Sequence, residues 1–119
     1  MTTQTELGQI EISNTAVASV AAHAVLQSYG VVGMALPGLR EGLVELLQRD
    51  SSKRGVVVTT DGDEIAIDLY VVLEYGLRIS EVAHNIMHNV KFAVEQALGR
   101  PVKQVNVHVQ GLRVSSHED

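Results

Sequence analysis

The chain has no cysteine and no tryptophan. The first absence excludes disulfides, iron-sulfur clusters and thiol catalysis, and it is compatible with a reducing cytoplasm. Aromatic residues are only 3% of the 119 residues while hydrophobic residues are 45%, so the core has to be built from aliphatic side chains. Its many valines are stiff at χ1 and suit a pleated surface, which favours sheet. Basic residues are sparse: Lys53 and Arg54 are the only adjacent pair and the formal net charge is −5. A surface that holds phosphate backbones needs clustered lysine and arginine, so a nucleic-acid partner is not expected. Long hydrophobic runs are missing too. The longest, residues 16–26, is interrupted by Ser19 and His23 and falls short of the roughly 20 residues that span a bilayer. Residues 1–6 have neither the basic start nor the apolar middle of a secretory signal, so the expected location is the cytoplasm.

What is present is a clean change of period. Ile65, Ile67, Leu69, Val71, Leu73 and Tyr75 recur at every second position, the pattern of a long strand with one face on a core and with Asp68 and Glu74 facing away. After Gly76 the repeat becomes helical. Ile79, Val82, Ala83, Ile86, Val90, Ala93, Val94 and Ala97 fall three and four apart, one stripe of a helix of about five turns. Ser80 reads as its cap and Glu81 as a first-turn acid, while Gly99 and Pro101 end it.

The rest of the chain fits around this unit. Residues 8–12 alternate as a short first strand. Ser13 or Asn14 caps a helix over residues 15–29, alanine-rich and apolar almost all round, hence expected to be sandwiched. Val31 to Leu36 is a short apolar run ended by Pro37 and Gly38. Leu39, Leu43, Leu46 and Leu47 mark a short amphipathic helix, and residues 50–54 a solvated loop. Asp61-Gly62 reads as a two-residue hairpin turn between residues 56–60 and 64–75, which sets Val58 opposite Ile65 and Val56 opposite Ile67. In the last strand, residues 102–114, the inward set passes from Val105, Val107 and Val109 to Leu112 and Val114, a parity change that predicts a bulge at Gly111.

These elements predict a single α+β domain over residues 8–114, with a four- to five-stranded mixed or antiparallel sheet, two main helices packed on it and one short helix. Residues 1–7 and 115–119 read as flexible ends.

Four blocks carry a family resemblance: Gly8-Gln9-Ile10-Glu11-Ile12-Ser13, Tyr29-Gly30-Val31-Val32-Gly33-Met34, Ser80-Glu81-Val82-Ala83-His84-Asn85 and Val105-Asn106-Val107-His108-Val109-Gln110-Gly111. In this order they resemble the bacterial alkaline shock protein family, also described as envelope stress response proteins, across about residues 7–115. The resemblance implies a small α+β protein tied to cell-envelope homeostasis, with membrane association through partner proteins. It implies no catalytic residue set, because the matching positions are mostly glycines and aliphatics.

Candidate chemistry is thin. His84 and His88 lie four apart and could share a metal ion on one helix face, but Asn85 stands where a metalloprotease would carry its glutamate. A third ligand would have to come from Glu81 or Glu95. With Lys91 and Glu95 the two histidines form a polar stripe, so they read as solvated side chains and no metal or cofactor is expected. His23, inside an apolar helix, reads as a hydrogen-bonded or packed core residue, and His108 faces outward beside Asn106 and Gln110. No G-x-S-x-G elbow supports a hydrolase. Gly30-Val31-Val32-Gly33 matches the GXXG of KH domains, yet it has no basic residue and the chain after it reads as a strand.

Contact surfaces are better supported. Phe92, the only phenylalanine, lies off the apolar stripe near Asn85, His88, Asn89 and Gln96; it marks a protein contact or is covered by a loop or by the leucine helix. The outward face of the hairpin carries Val57, Ala66, Tyr70 and Val72, which need a cover from this chain or from a second subunit. Phe92, His88, Gln96 and Tyr70 are therefore the candidate interaction residues. The expected function is non-enzymatic, through homo-oligomers and a membrane-anchored protein partner. A small-ligand or metal-binding regulator using His84 and His88 is the alternative, with RNA binding third.

Overall fold

The eleven-residue strand β5 (Glu64–Glu74) is the axis of the molecule. The computed structural model describes residues 3–5, 8–10, 13–37 and 46–114. Ile65, Ile67, Leu69, Val71 and Leu73 are at most 1% exposed, as the alternation requires. Each such aliphatic side chain contributes about 1.5–3 kcal/mol when fully buried, so this strand anchors the core.

Both edges of β5 are occupied. Strand β6 (Val102–Arg113) pairs parallel to it along its whole length. On the other edge, β4 (Val56–Asp61) pairs antiparallel with residues 64–69, and β3 (Val31–Met34) antiparallel with residues 71–73. Strands β3 and β4 thus lie end to end along one edge. The result is a mixed four-stranded sheet in an α+β domain.

Helix α2 (Ile79–Leu98) links the two parallel strands, because parallel neighbours can be joined only by a crossover. Its twenty residues give it a length of about 30 Å, and Val82, Ile86, Val90 and Val94 bury its apolar stripe against the sheet. Helix α1 (Asn14–Leu26) packs beside it, burying Val17, Ala18, Ala21, Ala22, Ala24 and Val25. Between the helices the amide of Asn89 donates to Ser28 Oγ at 3.0 Å, and that hydroxyl donates to the Ala24 carbonyl. Polar groups at this helix contact are thereby satisfied.

Several local expectations are corrected. The hairpin turn is Gly62-Asp63, with Asp61 opposite Glu64, so Val58 faces Ile67 and Val56 faces Leu69. The slip is two residues, which leaves every side chain on its expected face. Helix α2 begins two residues earlier than a Ser80 cap would allow: Arg78 is the cap, and its guanidinium pairs with Glu81 at 3.0 Å. Ser13 caps α1, its hydroxyl accepting from the Ala16 amide at 3.1 Å. Residues 49–55, expected as a loop, form a 3-10 helix. Most of the expected leucine helix lies outside the described residues. Within the leading segment expected to be loose, β1 (Thr3–Thr5) pairs with β2 (Gly8–Ile10) in a separate two-stranded sheet. His23 is exposed rather than in the core, because α1 is covered only on the sides that meet α2, the sheet and the 3-10 helix. The bulge in β6 is present, with the register shifting between Val109 and Gly111.

Candidate functional site

Both main helices cover the face of the sheet that carries Ile65, Ile67 and Leu69. The opposite face is built from the alternate residues of β5, namely Ala66, Asp68, Tyr70 and Val72, with Val57 and Thr59 of β4 and Gln104, Asn106 and His108 of β6 beside them. Val72 is fully buried, next to Gly33, over which the side chain of Leu46 sits. Farther along the face Ala66, Asp68 and Tyr70 are half-buried and Val57 is 38% exposed.

A polar cluster occupies the middle of this open face. Parallel pairing sets Asp68 opposite Asn106 and Tyr70 opposite His108. The Asn106 amide donates to Asp68 Oδ1 at 3.1 Å, and His108 Nε2 meets the same oxygen at 2.9 Å. The imidazole also stacks on the Tyr70 ring, with centroids 4.5 Å apart and planes 10° from parallel. The His108 hydrogen bond holds the Asp68 carboxyl below its ordinary value; partial burial opposes this, and the Asn106 amide adds to it. Both contacts fall on Oδ1. The cluster holds the phenol of Tyr70 but no serine hydroxyl and no thiol, so a serine triad is not assembled among these residues.

The second surface runs along the outer side of α2. Ser80, Glu81, His84, Asn85 and His88 line a shallow groove, and Phe92 stands one turn beyond His88, 60% exposed. The groove continues into a cleft of about 350 Å³ lined by Tyr29, Leu77, Arg78, Glu81, Val82 and Asn85. Tyr29 and Tyr75 are 72% and 65% exposed at that end of the domain. The described residues leave Phe92 uncovered, and most of the leucine helix, the other candidate cover, lies outside them.

The candidate contact residues divide between these surfaces. Phe92, His88 and Gln96 lie on the outer side of α2, whereas Tyr70 lies across the sheet on the open face. His84 and His88 share a helix face, and the two glutamates considered as a third ligand have other partners. Glu81 is engaged by Arg78, and Glu95 Oε2 accepts from the Val102 amide at 2.9 Å, fixing the start of β6. Among the described residues no group of three or more metal-binding side chains converges. The GXXG segment leads from a helix into strand β3, with Gly30 at φ +89°, so it is not the loop between two helices that clamps nucleotides.

Sequence reasoning placed Asp68 and His108 on outward faces but did not join them. Their partnership depends on β5 and β6 being parallel neighbours, and the α2 crossover between them was the available signal. Tyr29 and Tyr75 were missed as a pair because they come together only where α1, β5 and α2 meet.

The alkaline shock protein 23 family, of cell envelope-related function, matches over residues 2–114. The chain is 46% identical over 114 residues to YloU of Bacillus subtilis, covering 95% of each chain. It is 39% identical over 111 residues to Spy1614 of Streptococcus pyogenes, covering 92% of each. Among solved structures, it is similar to the nickel form of a MamM CTD variant, with 18% identity, 81% of this chain and 95% of that chain covered, and a TM-score of 0.49.

Proposed function

Since the chain belongs to the alkaline shock protein 23 family, of cell envelope-related function, we propose that it is a non-catalytic cytoplasmic protein of the envelope stress response or envelope homeostasis. It acts by self-association and by docking partner proteins, one of them membrane-anchored. The observation that carries this reading is where the aromatic rings are. The chain has three tyrosines, one phenylalanine and no tryptophan, and none of these four rings belongs to the buried core. Three of them are at least 60% exposed, and Tyr70 is half-buried on the open sheet face. A small domain that closes its core with aliphatics alone and keeps every ring outside it has its rings where contacts form, since aromatic side chains give much buried area for little lost entropy. Among the described residues no helix is long and apolar enough to cross a membrane, which fits attachment through a partner.

Sedimentation velocity across a hundredfold range of concentration tests the self-associating part. The wild-type chain is expected to shift to larger species with concentration, and Phe92→Ala or Tyr29→Ala to shift less. A wild-type monomer at every concentration would remove self-association from the reading.

A further inference from the structure

We propose that the open sheet face is a docking site for a cationic segment of a partner protein, one that alternates arginine or lysine with apolar residues, and that Asp68 is its recognition point. This rests on the docking function proposed above and names the chemistry of one partner. The sign of the face carries the argument. Register places Asp61, Glu64, Asp68 and Glu74 on it, against Arg113, opposite Glu74, and the imidazole of His108; Lys103 bulges from the ladder between Val102 and Gln104. At the centre, Asp68 is held rigidly by Asn106 and His108 through one oxygen, so the carboxylate is preorganised and its second oxygen can take a cation without first breaking these bonds. The Tyr70 ring, stacked on His108, adds an aromatic surface two residues along the same face of β5, and a planar guanidinium can use both. Val57 and Ala66 flank the cluster on the same face, where the intervening apolar side chains of an extended segment would rest. A second copy of this chain fits less well. A two-fold contact would set this acidic face against its own copy, and like charges disfavour that pairing.

The probe is a synthetic peptide alternating arginine and valine, titrated into the full chain and followed by amide shifts in two-dimensional NMR; its control alternates glutamate and valine. The expected shifts centre on Val57, Ala66, Asp68, Tyr70, Asn106 and His108. Asp68→Asn should weaken binding about fivefold, the scale of a partly exposed ion pair, and Thr59→Glu, which adds a charge at an exposed position of the same face, should tighten it. Dispersed spectra verify that both variants fold. The proposal is overturned if both peptides bind alike, if the shifts gather instead around Phe92 and Tyr29, or if neither variant changes the affinity. Self-association of Asp68→Asn, measured in parallel, separates the two ideas: loss of peptide binding with assembly intact supports the cationic site, and absence of peptide binding by a wild-type chain that assembles sinks this inference alone.

Discussion

Truncating Phe92 should leave the domain almost as stable as before, whereas truncating Ile86 on the same helix should come close to unfolding it. Phe92 is 60% exposed, so Phe92→Ala gives up about two fifths of a contribution that reaches about 3 kcal/mol for a fully buried ring, or roughly 1 kcal/mol. Alanine returns about 0.5 kcal/mol through its better helix propensity, for a net loss of about 0.5 kcal/mol. Ile86 is 0% exposed inside the core cluster, and its replacement by alanine costs about 2–5 kcal/mol once the cavity is included. With a urea m-value of about 1.5 kcal/mol per molar, the midpoints move by about 0.3 M and by at least about 1.3 M respectively. Equilibrium urea unfolding, followed by far-UV circular dichroism at two protein concentrations, measures both. If Phe92 lies in a self-contact, its variant loses additional stability only at the higher concentration, because association stabilises by mass action. A Phe92→Ala midpoint as low as that of Ile86→Ala at both concentrations would refute the reasoning, since the ring would then be core.

Gly30→Ala should destabilise by about 1–3 kcal/mol in the same assay. At φ +89° the new Cβ would also stand 3.0 Å from Leu77 and Val82, whereas Gly99→Ala, at φ +65° in open space, should cost only about 1 kcal/mol. Because the folded-state pKa of Asp68 is lowered from 3.8, its hydrogen bonds contribute stability above that pH, and the contribution is lost as pH falls through the lowered folded value. The stability difference between wild type and Asp68→Asn should accordingly be level at neutral pH and shrink in that acid window; a difference that grows on acidification would contradict the sign. Calorimetric titration with zinc should give no tight uptake, and His84→Ala with His88→Ala should leave the trace unchanged, whereas tight one-to-one binding lost in the double variant would restore the metal reading.

The parts legible in the sequence are those set by a single clean period. Strand β5 alternates without interruption and α2 keeps one apolar stripe, so both could be read with their buried faces, as could the place of Phe92 off that stripe. What escaped depends on pairing between distant segments. Whether β6 runs parallel or antiparallel to β5 is not encoded in either strand's own alternation, and with that choice open the Asp68, Asn106, His108 and Tyr70 cluster could not be assembled. The hairpin register slipped because Asp61-Gly62 and Gly62-Asp63 are both acceptable turns, and a two-residue shift changes no buried face. Ser80 has the residue type of a cap, but the chain turns at Arg78, whose bond to Glu81 ties down the first turn. His23 reads as core because α1 is apolar nearly all round, a pattern that cannot show which side lacks a neighbour.

The most direct measurement is photo-crosslinking in the living cell, with a reactive residue placed singly at positions 29, 70, 92 and 63, the last in the exposed hairpin turn. Adducts to a second copy or to a partner should form from positions 29, 70 and 92 and be absent from 63. Adducts from 63 as abundant as from the aromatic positions, or none from any aromatic position under envelope stress, would contradict a domain whose exposed rings exist to be docked against.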